Sequence, residues 1–209
     1  MIVLAIVATL AVIGDFVARL VYERRLEGWL NARDDIDSAV LKLDAWPFTL
    51  HFRDNAFDRA VLSLTVEREG FSYAPIDLEL RGFNYYRNDQ CPGRTRFLIA
   101  ASTGRGEAFV PQEDLREVLK RYGFPRVDIS SDGMDLESSA GHKVSVAPSD
   151  AAIRPNDIAG DILIPVESRR ELLVRLPEPV DGVKFQDVLF AEGGVRLPFT
   201  VIDPELFCV

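Results

Sequence analysis

Cysteine and histidine are nearly missing from this chain, two of each in 209 residues. Two thiols exclude a zinc site built from several cysteines, and two imidazoles leave few bases that titrate near neutral pH. Basic residues are also in deficit, 24 Lys and Arg against 33 Asp and Glu, for a formal charge of -9. A chain of that sign is repelled by a phosphate backbone, so nucleic acid is not an expected partner. No Gly-x-Ser-x-Gly elbow occurs, and no glycine run leads into Lys and Ser or Thr. The nearest approach to a phosphate loop, Ser102-Thr103-Gly104-Arg105-Gly106, reads as a hairpin turn. His51 and His142 stand far apart, and neither Asp132-Gly133-Met134-Asp135 nor the stretch from Asn156 to Asp161 follows the calcium-loop order. Carboxylates are plentiful, and surface solvation is their default place. No catalytic residue, metal site or cofactor is expected.

What the chain does have is one long apolar stretch at its start. Residues 1–13, MIVLAIVATLAVI, are apolar apart from Thr9. As a helix they extend about 20 Å, short of the roughly 30 Å of a hydrocarbon core. Continuing through Phe16, Val17, Leu20 and Val21 reaches a spanning length and places Asp15 and Arg19 near one boundary, spaced to pair with each other. The segment reads as an anchor or export signal over residues 1–22, followed by a single domain over 23–209. Beyond it Tyr22, Leu26, Trp29 and Leu30 form a second apolar stripe, about half a turn from the first around the helix. One surface cannot bury both stripes. A membrane taking the first and a folded domain the second accounts for the change, as does a helix crossing two packed layers. The polar run from Asn31 to Asp37 then ends the helical pattern.

From residue 38 onward, alternation and short apolar runs dominate. Leu62, Leu64 and Val66 alternate with polar neighbours, as do Ile76, Leu78 and Leu80, which predicts strands with one wet face. FLIAA at 97–101, DILIPV at 161–166 and ELLVRL at 171–176 are apolar at successive positions, which predicts strands covered on both faces. The spacing in PQEDLREVLKRYG predicts a helix over 111–123, with acidic residues in its first turn and basic ones in its last. Further strands are expected at 126–130, 134–138, 144–147, 184–190 and 195–201. Strands and helices do not alternate regularly, which excludes a Rossmann-type sheet. The expected fold is α+β, a long curved antiparallel sheet wrapped around one or two helices, with the hydrophobic helix in front.

Two features bear on ligands. Arg81, Arg87, Arg94 and Arg96 are interleaved with Phe83, Tyr85, Tyr86 and Phe97. Guanidinium groups hold phosphate with paired hydrogen bonds and rings suit the border between apolar and wet zones, so the cluster fits a lipid head group or a solvated hairpin. Cys91 and Cys208 form a candidate disulfide if the domain is exported, and are free thiols if it is not.

The order of features carries a family resemblance. An N-terminal hydrophobic helix runs into an Arg- and Glu-rich stretch, then Ala45-Trp46-Pro47-Phe48-Thr49-Leu50 and Asn55-Ala56-Phe57-Asp58-Arg59-Ala60-Val61. Glu107-Ala108-Phe109-Val110 leads into Gln112-Glu113-Asp114-Leu115, and RLPEPVDGVKFQDVLFAEGGVRL follows at 175–197. In this order the chain resembles the LmeA family of actinobacterial phospholipid-binding proteins, with Ala-Trp-Pro-Phe-Thr where the family has Gly-Phe-Pro-Phe-Leu. The resemblance implies a non-enzymatic, extracytoplasmic protein of the cell envelope. It implies phospholipid as partner, its acyl chains held in an apolar cavity of a curved sheet like those of tubular lipid-binding domains. Envelope glycolipid or lipoglycan biosynthesis is the implied setting. On that reading Trp46, Phe48, Leu50, Phe52, Phe97 and Ile99 are the candidate acyl contacts, and Arg87, Arg94 and Arg96 the candidate head-group contacts. The alternatives are an interaction module docking on a membrane partner, or an envelope glycan-active enzyme with two carboxylates about 5 to 10 Å apart across a cleft.

Overall fold

The computed structural model describes residues 2–52, 56–87, 97–156, 159–167, 170–180, 182–201 and 205–208. The chain opens with one unbroken helix, α1 (Ile2–Leu30), which passes through residues 22 and 23 without a break. Strand β1 (Ile36–Asp44) follows, then a short helix α2 (Phe48–Phe52) and two long strands, β2 (Ala56–Arg68) and β3 (Phe71–Arg87). These two are joined through Glu69 and Gly70, both at positive φ, as a tight two-residue hairpin requires. Next come β4 (Phe97–Ala100), β5 (Thr103–Pro111) and helix α3 (Gln112–Arg121). The C-terminal half is β6 (Arg126–Ser130), β7 (Gly133–Glu137), β8 (Lys143–Val146), β9 (Ala152–Arg154), β10 (Asp161–Glu167), β11 (Arg170–Arg175), β12 (Val183–Phe185), β13 (Leu189–Ala191), β14 (Gly194–Val201) and β15 (Glu205–Cys208).

The fold is α+β, as expected. A nine-stranded sheet runs β1-β2-β3-β5-β14-β12, with β13 also on β14, β4 on the far part of β3, and β15 on β4. Its pairings are antiparallel, as are those of two three-stranded sheets, β6-β7-β8 and β11-β10-β9. Leu62, Leu64, Val66, Ile76, Leu78 and Leu80 line the inner face of the large sheet, each essentially without exposure. The inner face of α1 and Leu115 and Leu119 of α3 complete the same core. The outer face is polar. There Arg59 bridges Asp44 (3.8 Å) and Glu79 (3.1 Å), Arg105 reaches Glu79 (3.3 Å), and Arg196 pairs with Glu107 (3.0 Å).

β3 changes partner on one side at Gly82. β5 pairs with β3 as far as Arg81–Thr103 and β4 takes over from Asn84–Ala100, while β2 stays paired along the other side, Phe83 with Phe57. Gly82 sits at φ +60, and a side chain there would run into the Ser102 hydroxyl. Beyond it β3 curls back to α1, bringing the Tyr85 ring to 5.5 Å from Tyr22 and 6.0 Å from Trp29.

Several local expectations are corrected. Thr103 to Gly106 is the start of β5 and not a hairpin turn. Its glycines are there for packing, since a Cβ on Gly104 would lie 2.8 Å from Val201 and one on Gly106 2.7 Å from the Phe199 ring. The single strand expected at 184–190 is divided between β12 and β13, and between them the Gln186 N–H donates to the Pro198 carbonyl and the Val188 N–H to the Asp187 carboxylate. β11 is not covered on both faces, for Leu173 is exposed while Val174 is buried. Leu98 to Ala101, by contrast, are all buried, as the apolar run predicts. The polar stretch after α1 ends two residues earlier than expected, since β1 begins at Ile36, which pairs with Val66. Asp15 and Arg19 do not pair; Arg19 bonds Glu23 at 3.0 Å, and Asp15 turns elsewhere.

Candidate functional site

The part of α1 that touches the domain carries two adjacent stripes. Tyr22, Leu26 and Leu30 form the apolar one and are buried in the core. Beside it Asp15, Arg19, Glu23, Glu27 and Asn31 recur every fourth residue, which on a helix places them in one row. This row lies along β1, the open edge of the large sheet, whose outward N–H groups would otherwise lack partners. Leu43 N–H donates to Glu23 Oε1 at 2.7 Å and Leu41 N–H to Glu27 Oε1 at 2.9 Å. Ala39 N–H donates to Asn31 Oδ1 at 2.6 Å. Four residues of helix advance about 6 Å and two residues of strand about 6.6 Å, so the two repeats stay in step over three contacts. Helix side chains thus replace the missing neighbouring strand.

Asp15 extends the row to α2. Its Oδ2 accepts the Phe48 N–H at 2.9 Å, and its Oδ1 accepts the Thr49 N–H at 2.8 Å and the Thr49 hydroxyl at 2.9 Å. The first N–H groups of a helix have no partner within it, and an ionised carboxylate is a strong acceptor for them. Although the two elements are far apart in sequence, α2 is in this way fastened to α1. Phe48 turns inward, its ring 5.4 Å from Tyr22 and stacked 5.5 Å from Phe57. Trp46, in the bend just before α2, and Leu50, within it, are 66% and 70% exposed.

Through Asp15, α2 is tied to the place where α1 leaves the domain. All of residues 3–14 are exposed, and Phe16, Val17, Leu20 and Val21 keep an exposed apolar face running past Asp15. Arg24 and Arg25 are the first exposed charges after it. α1 is long and apolar enough to cross a membrane, and its most apolar part is almost unburied. Exposed apolar surface therefore includes half of a helix, Trp46 and Leu50.

The residues expected to contact lipid are separated by the fold. Phe48 and Ile99 are packed in the core, whereas Trp46 and Leu50 are on the surface. Phe52 ends α2, Phe97 begins β4 and Arg87 ends β3, their side chains lying outside the described residues, as do Arg94 and Arg96 altogether. Cys91 also lies outside them, while the backbone of Cys208 pairs with Leu98 in β15. Of the arginine and aromatic cluster, Phe83 is buried, Tyr85 packs on α1 and Tyr86 is 43% exposed.

Two surface depressions are formed among the described residues. One of about 470 Å³ lies on the outer sheet face between Arg59, Glu79, Arg105 and Gln186. Arg105 beside Glu79, reinforced by Arg59, holds the Glu79 carboxyl below its usual range, so this trough is a neutralised ion-pair ladder. Another, about 310 Å³, lies between Tyr122, Phe124, His142 and Leu172. Among the described residues no three His, Cys, Asp or Glu side chains are placed to hold a metal ion. Sequence reasoning missed Asp15 as a long-range cap and the row that fastens α1 to β1. The four-residue spacing of Asp15, Arg19, Glu23, Glu27 and Asn31 was the available signal. No family model, curated protein or solved structure matches the chain.

Proposed function

We propose that the protein is a non-enzymatic phospholipid-binding protein of the cell envelope, held at the membrane by α1 with its domain on the extracytoplasmic side. The observation that carries this reading is the division of α1, exposed and apolar over residues 3–14 and fastened to the sheet edge from Asp15 onward. A domain joined to its anchor through one continuous helix stays against the bilayer surface, where its substrate is lipid. The curved sheet supports the same reading by closing over an aromatic interior of Tyr22, Phe48, Phe57 and Phe83, the apolar surroundings that acyl chains require. The similarity to the LmeA family gives the ligand class and its setting, envelope glycolipid or lipoglycan biosynthesis. Arg87, Arg94 and Arg96 are the proposed head-group contacts.

The test is photolabelling of the full-length protein, reconstituted in phosphatidylcholine vesicles, with a phosphatidylglycerol carrying a diazirine on its acyl chain. Crosslinks at Phe48, Ile99 or their core neighbours are expected, weakened when Arg87, Arg94 and Arg96 are changed together to Glu. Crosslinks confined to residues 2–21 would overturn lipid binding by the domain. That outcome would favour a second reading, a structural module docking on a membrane partner. The close packing of Phe48 and Ile99 among other core side chains supports this second reading.

A further inference from the structure

The exposed side chains at α2, Leu50 within it and Trp46 in the bend just before it, have no place in a lipid cavity, and they are not scattered surface residues either. Trp46 and Leu50 flank Phe48 and Thr49, whose N–H groups are held by Asp15. α2 is therefore fixed at the level of Asp15 along the α1 axis. The exposed apolar face of α1 continues to Val21, six residues further into the domain, or about 9 Å of helix. α2 accordingly lies on the membrane side of the last apolar residue that α1 exposes. An indole and a leucine left bare at that level are out of place in water. Tryptophan favours the boundary between head groups and acyl chains, where its ring is apolar and its N–H remains wet.

We propose that α2 is a second membrane contact, a foot that seats Trp46 and Leu50 in the interface of the leaflet α1 enters. The inference rests on the reading of α1 as an anchor and adds to it that the domain is held at two points. The occupant of this surface is lipid, because Asp15 ties it to a level of α1 at which the apolar residues of the anchor helix on either side, 3–14 and Phe16 to Val21, are themselves exposed. Inward-facing Phe48 and the Asp15 carboxylate hold the foot rigid from behind. Its function is orientation. With α1 alone, the domain could turn about the helix axis and tilt; with α2 seated, one end of the curved sheet is kept facing the bilayer.

The sequence contains two tryptophans, Trp29 and Trp46. In a Trp29→Phe full-length protein, Trp46 is the sole indole. This protein is reconstituted into vesicles of phosphatidylcholine and phosphatidylglycerol and floated on a density gradient, with and without phosphatidylcholine brominated near the glycerol end of its chains. The expected result is a floating protein whose Trp46 emission is blue-shifted, shielded from iodide and largely lost in the brominated vesicles. A floating protein with water-like emission, open to iodide and unquenched by bromine, overturns the foot and leaves the anchor standing. Shielding from iodide without quenching by bromine also overturns it, because protein, such as a second copy of the chain, then covers the patch. A protein that does not float overturns the anchor and the foot with it. Should Trp29→Phe disturb the fold, the difference in emission between the native chain and Trp46→Phe reports on the same residue without touching the core.

Discussion

Asp15 and Thr49, 34 residues apart in the chain, are joined by two hydrogen bonds, one from the Thr49 backbone and one from its hydroxyl. The contact makes a carboxylate at the edge of an apolar helix into the cap of another helix, and Asp15 is only 6% exposed as a result. A buried carboxylate with three donors is satisfied; with fewer it is costly.

Asp15→Ala should therefore loosen α2 and lower stability by about 1 to 2 kcal/mol, the usual worth of a helix cap. Asp15→Asn keeps acceptor capacity and should lose less, and Thr49→Val, which removes one of three bonds, should lose least. Denaturant titrations of the three proteins check the order, and a double-mutant cycle of Asp15→Ala with Thr49→Val should show that the two changes are not additive. Additive losses would mean that α2 is held by Phe48 packing alone.

Glu23, in the middle of the row on α1, accepts from both the Leu43 N–H and the Arg19 guanidinium. Glu23→Ala leaves a buried edge N–H without a partner, and the expected destabilisation is about 1 to 3 kcal/mol. Glu23→Gln retains the acceptor and should be milder. Hydrogen exchange at the amides of Ala39, Leu41 and Leu43 reads this directly, with protection falling first at Leu43. Unchanged exchange there would show that the edge is covered by other means.

Asp35 lies in the turn between α1 and β1, where Arg33 donates two hydrogen bonds of 2.8 Å and Arg68 one of 2.6 Å. The Arg33 hydrogen bonds, with further help from the charge of Arg68, hold its carboxyl below the ordinary value of 3.8. A depressed carboxyl contributes stability that is complete above the ordinary value and lost as pH falls through the depressed one. The melting temperature of the native protein should thus fall more steeply in that acid range than that of Asp35→Asn. Parallel acid slopes for the two proteins would remove Asp35 from the account.

Gly106 tests the packing of β5. A methyl group there would press on the Asp77 carbonyl and lie 2.7 Å from the Phe199 ring, both part of the sheet and its core. Gly106→Ala should cost about 1 to 3 kcal/mol, as overpacked cores do. Gly123→Ala is the useful contrast, since its Cβ meets nothing and any loss there comes from its positive φ alone.

Much of this architecture was readable from the residues. Alternation at 62–66 and 76–80 gave the inner and outer faces of the large sheet, and the half-turn between the two apolar stripes of α1 gave the division of that helix. What could not be read was whatever depends on a distant neighbour. The five residues of α2 are too few to show a helical period, and their cap comes from Asp15, far upstream. Gly104 and Gly106 carry the signature of a turn, yet they belong to a strand because Phe199 and Val201 of β14 occupy the space where their side chains would be. Trp46 and Phe48 look alike as candidate acyl contacts, and only the closing of the sheet on Tyr22 and Phe57 turns one inward and leaves the other outside.

The row that fits α1 to β1 works as a ruler, with unequal tolerance to change in length along the helix. An inserted or deleted residue ahead of Asp15 alters the depth to which the apolar segment reaches and leaves every contact with the domain intact. The same change between Asp15 and Asn31 rotates everything before it by about 100° relative to everything after it, so carboxylates that served the sheet edge face elsewhere. Drift in length is thus free on one side of a single residue and forbidden on the other, and that residue is Asp15.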